Sequence, residues 1–192
     1  MSNYDAMNMD NLSQAARWLT PTAHMRTRTL GIGDIHSGLA RTVWEIGMDY
    51  ALEAKRPVNV MFTSDGGDLM EGLATFNALR DVHDAGCELR GFVRGNCFSA
   101  ASYILQACDV RTASPTSIIM VHGITQRQVS FDEENAERNI QLLRHLRGTL
   151  ATEYARRSPL SFDHWDKLLQ SNTPTFYTPA EALAAGLVDV VQ

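Results

Sequence analysis

A chain of 192 residues, 44% of them hydrophobic and 20% charged, carries enough apolar material to bury one core, which excludes disorder along its whole length. At that size neither disulfides nor a structural metal is needed for folding. A formal charge of −5 argues against a general nucleic-acid binder, whose surface is basic.

Residues 1–26 read as an N-terminal arm. Apolar residues are sparse there, one short amphipathic patch runs from Leu12 to Leu19, and Pro21 breaks any helix. Residues 27–192 read as one domain in which strands and helices alternate. Arg28 to Ile32 is expected as a short strand. Leu39, Val43, Ile46 and Tyr50 recur at helical spacing, and that helix ends before Pro57. Val58 to Thr63 is a compact strand closed by the turn Ser64-Asp65-Gly66-Gly67. Leu69, Leu73, Phe76 and Leu79 mark a second helix with Gly86 as its stop. Leu89 to Val93 reads as a strand, Gly95-Asn96 as a turn, and Ser99 to Gln106 as a short helix with no polar face, hence buried. Strands at Val110–Thr112 and Ser117–Val121 flank a Ser-Pro-Thr turn.

The longest expected helix runs from Phe131 to Arg157. Ser130 and Glu133 form a capping box at its start, and Arg156 and Arg157 suit the negative end of its dipole. At 1.5 Å per residue it spans about 40 Å, long enough to project from the domain. Ile140, Leu143, Leu146, Leu150 and Tyr154 form an apolar stripe along it that wants a partner. Thr178-Pro179-Ala180-Glu181 is a second capping box with proline at the first helical position. Its helix closes at Gly186 and leads into a strand, Leu187 to Val191. The alternation points to an α/β fold with a largely parallel core sheet.

No P-loop and no H-E-x-x-H occurs. Gly31-Ile32-Gly33 lacks the third glycine and acidic partner of a dinucleotide site, so no cofactor is expected in this chain. Cys87, Cys97 and Cys108 lack metal-binding spacing, so no metal site is expected; buried free thiols in a reducing cytoplasm are. A polar start and no long apolar run lead to the expectation of neither signal peptide nor membrane span.

Two places could carry chemistry. Gly66-Gly67 stands between a strand and a helix, where glycine backbone and a helix N-terminus together suit an anion or oxyanion. The bland alternative is an ordinary strand-to-helix turn. Ser99 opens a buried helix; the bland alternative is an N-cap. His122 ends a later strand and is followed by Gly123. The remaining histidines, His24, His36, His83, His145 and His164, read as structural or surface groups.

Taken in order, these residues resemble the proteolytic subunit of the Clp protease (ClpP) and its phage-encoded relatives over residues 28–191. Ser64-Asp65-Gly66-Gly67 is similar to the family's S-P-G-G, with Asp65 in place of proline. Gly95-Asn96-Cys97-Phe98-Ser99-Ala100-Ala101 stands where the family has G-x-x-x-S-M-G. Met120-Val121-His122 is similar to the strand bearing the catalytic histidine. The long helix resembles the family's handle, and Glu181-Ala182 through Gly186-Leu187-Val188-Asp189 its closing string.

The resemblance implies a ClpP/crotonase-like fold of repeated β-β-α units with a projecting handle helix. It implies Ser99 as nucleophile, His122 as general base and then general acid, and the N–H groups of Gly67 and Ala100 as oxyanion hole. It implies heptameric rings of one chain, stacked in pairs, that degrade unfolded proteins delivered by a separate ATP-dependent (AAA+) unfoldase; the chain itself uses no ATP. The family's third catalytic residue, an aspartate, aligns with Pro174. A two-residue insertion puts Asn172 there, with Asp163 and Asp166, on an expected helix and facing solvent, as further candidates. The missing acid keeps open a catalytically weak or inactive ring subunit. A crotonase-type acyl-CoA enzyme and a phage capsid-maturation protease also stay open.

Overall fold

The computed structural model describes residues 27–124 and 133–192. The expected arm, and the expected cap at Ser130 with the helix start at Phe131, lie outside the described residues. In chain order the elements are β1 (Thr29–Ile32), α1 (Leu39–Glu53), β2 (Val58–Ser64), α2 (Leu69–Asp84), β3 (Leu89–Phe98), α3 (Ala100–Leu105), β4 (Val110–Ala113), β5 (Ile118–Val121), α4 (Glu133–Arg156), α5 (Phe162–Leu168), β6 (Thr175–Tyr177), α6 (Pro179–Ala184) and β7 (Val190–Val191).

The strands form one mixed sheet in the order β1-β2-β3-β4-β7, with β5 branching from β3 and β6 pairing with β5. All pairings are parallel except β5 with β6. The central strands alternate: Val58, Val60, Phe62, Leu89 and Val93 are fully buried on one face, whereas Asn59 and Met61 are half-buried and Thr63, Arg90 and Arg94 exposed on the other. The parallel pairing and the alternation of strands with helices along the chain bear out the α/β reading.

The expected turn at Gly95-Asn96 is corrected. β3 runs unbroken to Phe98 and changes neighbours on the way. Arg90 to Val93 pairs with β4, and Asn96 to Phe98 pairs with β5. The register against β2 shifts over the same stretch, where Phe62 pairs with Val93 but Ser64 with Cys97. Such a bulge bends a strand and re-aims the residues beyond it. Here those residues lead to Ser99. The closing strand is also shorter than expected, and β6 has no counterpart among the expected strands.

The handle helix α4 has 24 described residues, about 36 Å at 1.5 Å per residue. Its apolar stripe divides. Leu150 and Tyr154 are buried in the core, Leu143 and Leu146 are half-buried, and Ile140 is 48% exposed. The C-terminal part is therefore docked and the N-terminal part stands out. The docked end stacks Tyr154 on Trp165 of α5 with ring centroids 5.0 Å apart.

On β4, Arg111 is buried to 1% exposure and meets the carboxylate of Asp189 through Nη2 at 2.7 Å and Nε at 3.1 Å. The same guanidinium donates to the carbonyl of Gly186 and to Gln106. The closing Gly-Leu-Val-Asp string thus serves as a clamp on β4. The thiols of Cys87, Cys97 and Cys108 are free and buried, as expected, and burial pushes those of Cys97 and Cys108 well up.

Candidate active site

Ser99 stands in the junction between β3 and α3 with φ 55° and ψ −124°. A non-glycine residue in this region is strained by about 1–3 kcal/mol, so the surroundings must hold it there. They do so through its main chain. The Ser99 N–H donates to the carbonyl of Met120 at 2.8 Å. The Ser99 carbonyl accepts from the N–H of Ser102 at 3.0 Å and from its hydroxyl at 2.7 Å. The Ser102 hydroxyl is held in turn by the Tyr154 hydroxyl at 2.7 Å.

The Ser99 side chain makes no cap hydrogen bond to α3, so the N-cap reading is corrected. Its hydroxyl is left for other work on a sharp strand-to-helix turn, the geometry that displays nucleophilic serines elsewhere. Ala100, next in sequence, is small for a visible reason. A Cβ on Gly72 of α2 would lie 3.1 Å from the Ala100 Cβ, so the two helices pass with little room for larger side chains.

Gly66 and Gly67 both have positive φ, 97° and 148°. A Cβ on Gly67 would sit 2.1 Å from the carbonyl oxygen of Ile35, so no other residue fits. The loop is locked by bonds from the Ile35 N–H to the Gly66 carbonyl at 3.0 Å and from the Asp68 N–H to the Ile35 carbonyl at 2.9 Å. The Gly66 N–H is taken by the Ser64 hydroxyl at 3.0 Å. Among the described residues no protein acceptor takes the N–H of Gly67 or of Ala100. These are the two donors named from the resemblance.

His122 follows the last residue of β5. β5 is fixed on one side by β3 and on the other by β6, with Val121 opposite Thr175. One cleft of about 820 Å³ is lined by Ser99, His122, Gly67 and Ala100 together, with Asp65, Asp68 and Met70 at one end and Leu142, Leu143, Leu146 and Leu150 of α4 along a wall. Leu143 and Leu146 therefore face this cleft. No hydrogen bond joins the Ser99 hydroxyl to the His122 ring among the described residues; in unliganded sites such bonds are often long and tighten with substrate.

The structure does not bring Asn172 into a hydrogen bond with His122. Asn172 is exposed and lines a separate small cavity of about 120 Å³ with Arg147 and Gln170. The Nδ1 atom of His122 meets the carbonyl of Gly123 instead, at 2.5 Å, a contact that sequence patterns do not signal. The expectation that Asp166 faces solvent is corrected. Its carboxylate bonds to Arg147 at 2.6 Å and to Gln170 at 2.9 Å, and the Arg147 hydrogen bond holds it below the usual carboxylate range. Asp163 is exposed. His83 has a structural role, bonded through Nδ1 to Asp109 at 2.9 Å.

Among the described residues no group of three His, Cys, Asp or Glu side chains is placed to hold a metal, and no helix is long and apolar enough to cross a membrane. A family model described as Clp protease matches residues 14–192, beginning inside the stretch read as an arm. That match favours neither a crotonase-type enzyme, nor a capsid-maturation protease, nor an inactive ring subunit. With nearly the whole chain covered and the expected α/β fold in place, the chain belongs to the Clp protease family.

Proposed function

We propose that this chain is the serine endopeptidase subunit of a self-compartmentalising ring protease. The observation that carries the reading is that one cleft gathers Ser99, His122 and the two free N–H groups of Gly67 and Ala100. In the proposed reaction the Ser99 Oγ attacks the scissile carbonyl carbon while Nε2 of His122 takes its proton. The N–H groups of Gly67 and Ala100 hold the oxyanion. Collapse breaks the C–N bond as His122 gives the proton to the leaving amine. Water then hydrolyses the acyl-enzyme ester by the same base.

Assembly is part of the proposal. The exposed Ile140 on the projecting half of α4, which does not line the cleft, suits a contact between copies of the chain, as the family's stacked heptameric rings imply. Unfolded protein would reach the enclosed sites through an ATP-driven unfoldase, and buried free thiols suit a reducing cytoplasm. The test is labelling with a fluorophosphonate followed by mapping of the modified residue. Modification of Ser99 supports the reading; an unmodified Ser99 in assembled protein refutes it.

A further inference from the structure

We propose that the carbonyl of Gly123 is the acceptor that orients His122, so that a backbone dipole stands where serine peptidases use a carboxylate, and Gly123 is a positioning residue. The inference rests on the peptidase reading for its catalytic meaning. A carbonyl oxygen can only accept, so the ring nitrogen it meets, Nδ1, must carry the hydrogen. Nε2 then keeps its lone pair for the Ser99 hydroxyl. This is the tautomer a general base needs.

The carbonyl is held in place by its own peptide. The Gly123 N–H donates to the Ser171 carbonyl at 2.8 Å. A Cβ at this position would lie 2.5 Å from the Ser171 oxygen and 2.7 Å from the Leu169 oxygen, so only glycine lets the segment after β5 press against the end of α5. On the other side, Val121 is fixed by its pairing with Thr175. The His122 ring therefore hangs from a backbone that is pinned before and after it.

Among the described residues, three carboxylates on or near the cleft are committed elsewhere. Asp166 is bonded to Arg147 and Gln170, Asp68 caps α2 through the Glu71 N–H, and Asp65 is bonded to Asn96. A carbonyl dipole sets the tautomer but does not neutralise the imidazolium of the transition state. In the serine-protease precedent, replacing the aspartate by asparagine costs about 10⁴ in turnover, with the wrong tautomer as part of that loss. Here the tautomer is right, so the deficit from the missing charge is smaller than about 10⁴.

Two measurements on the full chain test this. In solid-state ¹⁵N NMR of histidine-labelled protein, with His122→Gln used to assign the ring, neutral His122 is expected to carry its proton on Nδ1. A proton on Nε2 overturns the proposal. In the second, Ile124 is replaced by its α-hydroxy acid, turning the 123–124 amide into an ester and weakening Gly123 as an acceptor. The Ile124 N–H has no protein acceptor among the described residues, so no other hydrogen bond among them is removed. The expected result is a fall in kcat on the order of tenfold with KM little changed. An unchanged kcat, or a larger loss for Asn172→Ala than for the ester, overturns it. Failure of Ser99 to label would refute the peptidase reading while the NMR result still decides the tautomer.

Discussion

Gly67→Ala is the substitution whose consequences can be worked furthest from the structure. The new Cβ would lie 2.1 Å from the Ile35 carbonyl oxygen, so the two must part by about 0.9 Å to reach even the tightest contact seen for real side chains. The φ of 148° adds strain of about 1–3 kcal/mol for any residue with a side chain. Separation also loosens the two bonds that lock the loop, Ile35 N–H to Gly66 and Asp68 N–H to Ile35, worth about 1 kcal/mol each. The loss of stability is expected at about 2–4 kcal/mol. The catalytic effect is separate. The Gly67 N–H moves by a distance comparable to the separation, and loss of one oxyanion donor costs about 10²–10³ in kcat. The assay is kcat on a fluorogenic peptide with thermal unfolding followed in parallel. A variant that is folded at the assay temperature, yet keeps kcat within about threefold of the parent, refutes the assignment of Gly67 to the oxyanion hole.

Ser99→Ala is expected to abolish fluorophosphonate labelling and peptide hydrolysis with the fold intact by circular dichroism; persistent labelling places the nucleophile elsewhere. Asp189→Ala leaves the buried Arg111 guanidinium without its carboxylate and is expected to destabilise by about 3–5 kcal/mol in denaturant titration. The same carboxyl predicts acid sensitivity. Burial raises its pKa, but the hydrogen bonds and charge of Arg111, with the charge of Arg157, together lower it below the ordinary 3.8. A folded pKa below the unfolded one means its contribution is complete above 3.8 and is lost as pH falls from there through the folded value. Unfolding midpoints at about pH 3 and about pH 6 should therefore differ less for Asp189→Asn than for the parent. Ile140→Glu, at an exposed position of α4, is expected to reduce assemblies to smaller species by sedimentation, with little change in the unfolding of each subunit. Assemblies of unaltered size would exclude this part of the handle as an interface.

Much of the site is legible in the sequence because its parts are local. Gly66-Gly67 announces a backbone that side chains cannot enter, and the structure shows the Ile35 carbonyl occupying that space. The capping box at Thr178 and Glu181 is present as read, with both reciprocal bonds formed. Ser99 and His122 stand out through order along the chain, and one cleft receives both.

Period and local sterics encode the alternation of strands and helices, the parallel core, a long helix ending near Arg156, the glycine pair and the buried α3, and these can be read from residues alone. The rest depends on partners remote in the chain. Gly95-Asn96 has the local chemistry of a turn, but pairing of Asn96 to Phe98 with β5 supplies the hydrogen bonds that keep it extended. β6 is too short to show a period and exists because β5 offers it an edge. The N-cap propensity of Ser99 loses to the bond between its N–H and Met120, which holds φ positive and turns the hydroxyl away from capping. The partner of His122 cannot be found by aligning acids, because it is a main-chain carbonyl set by how closely Gly123 packs on the end of α5. A backbone atom has the same identity in every residue; only the folded chain decides which one meets the ring.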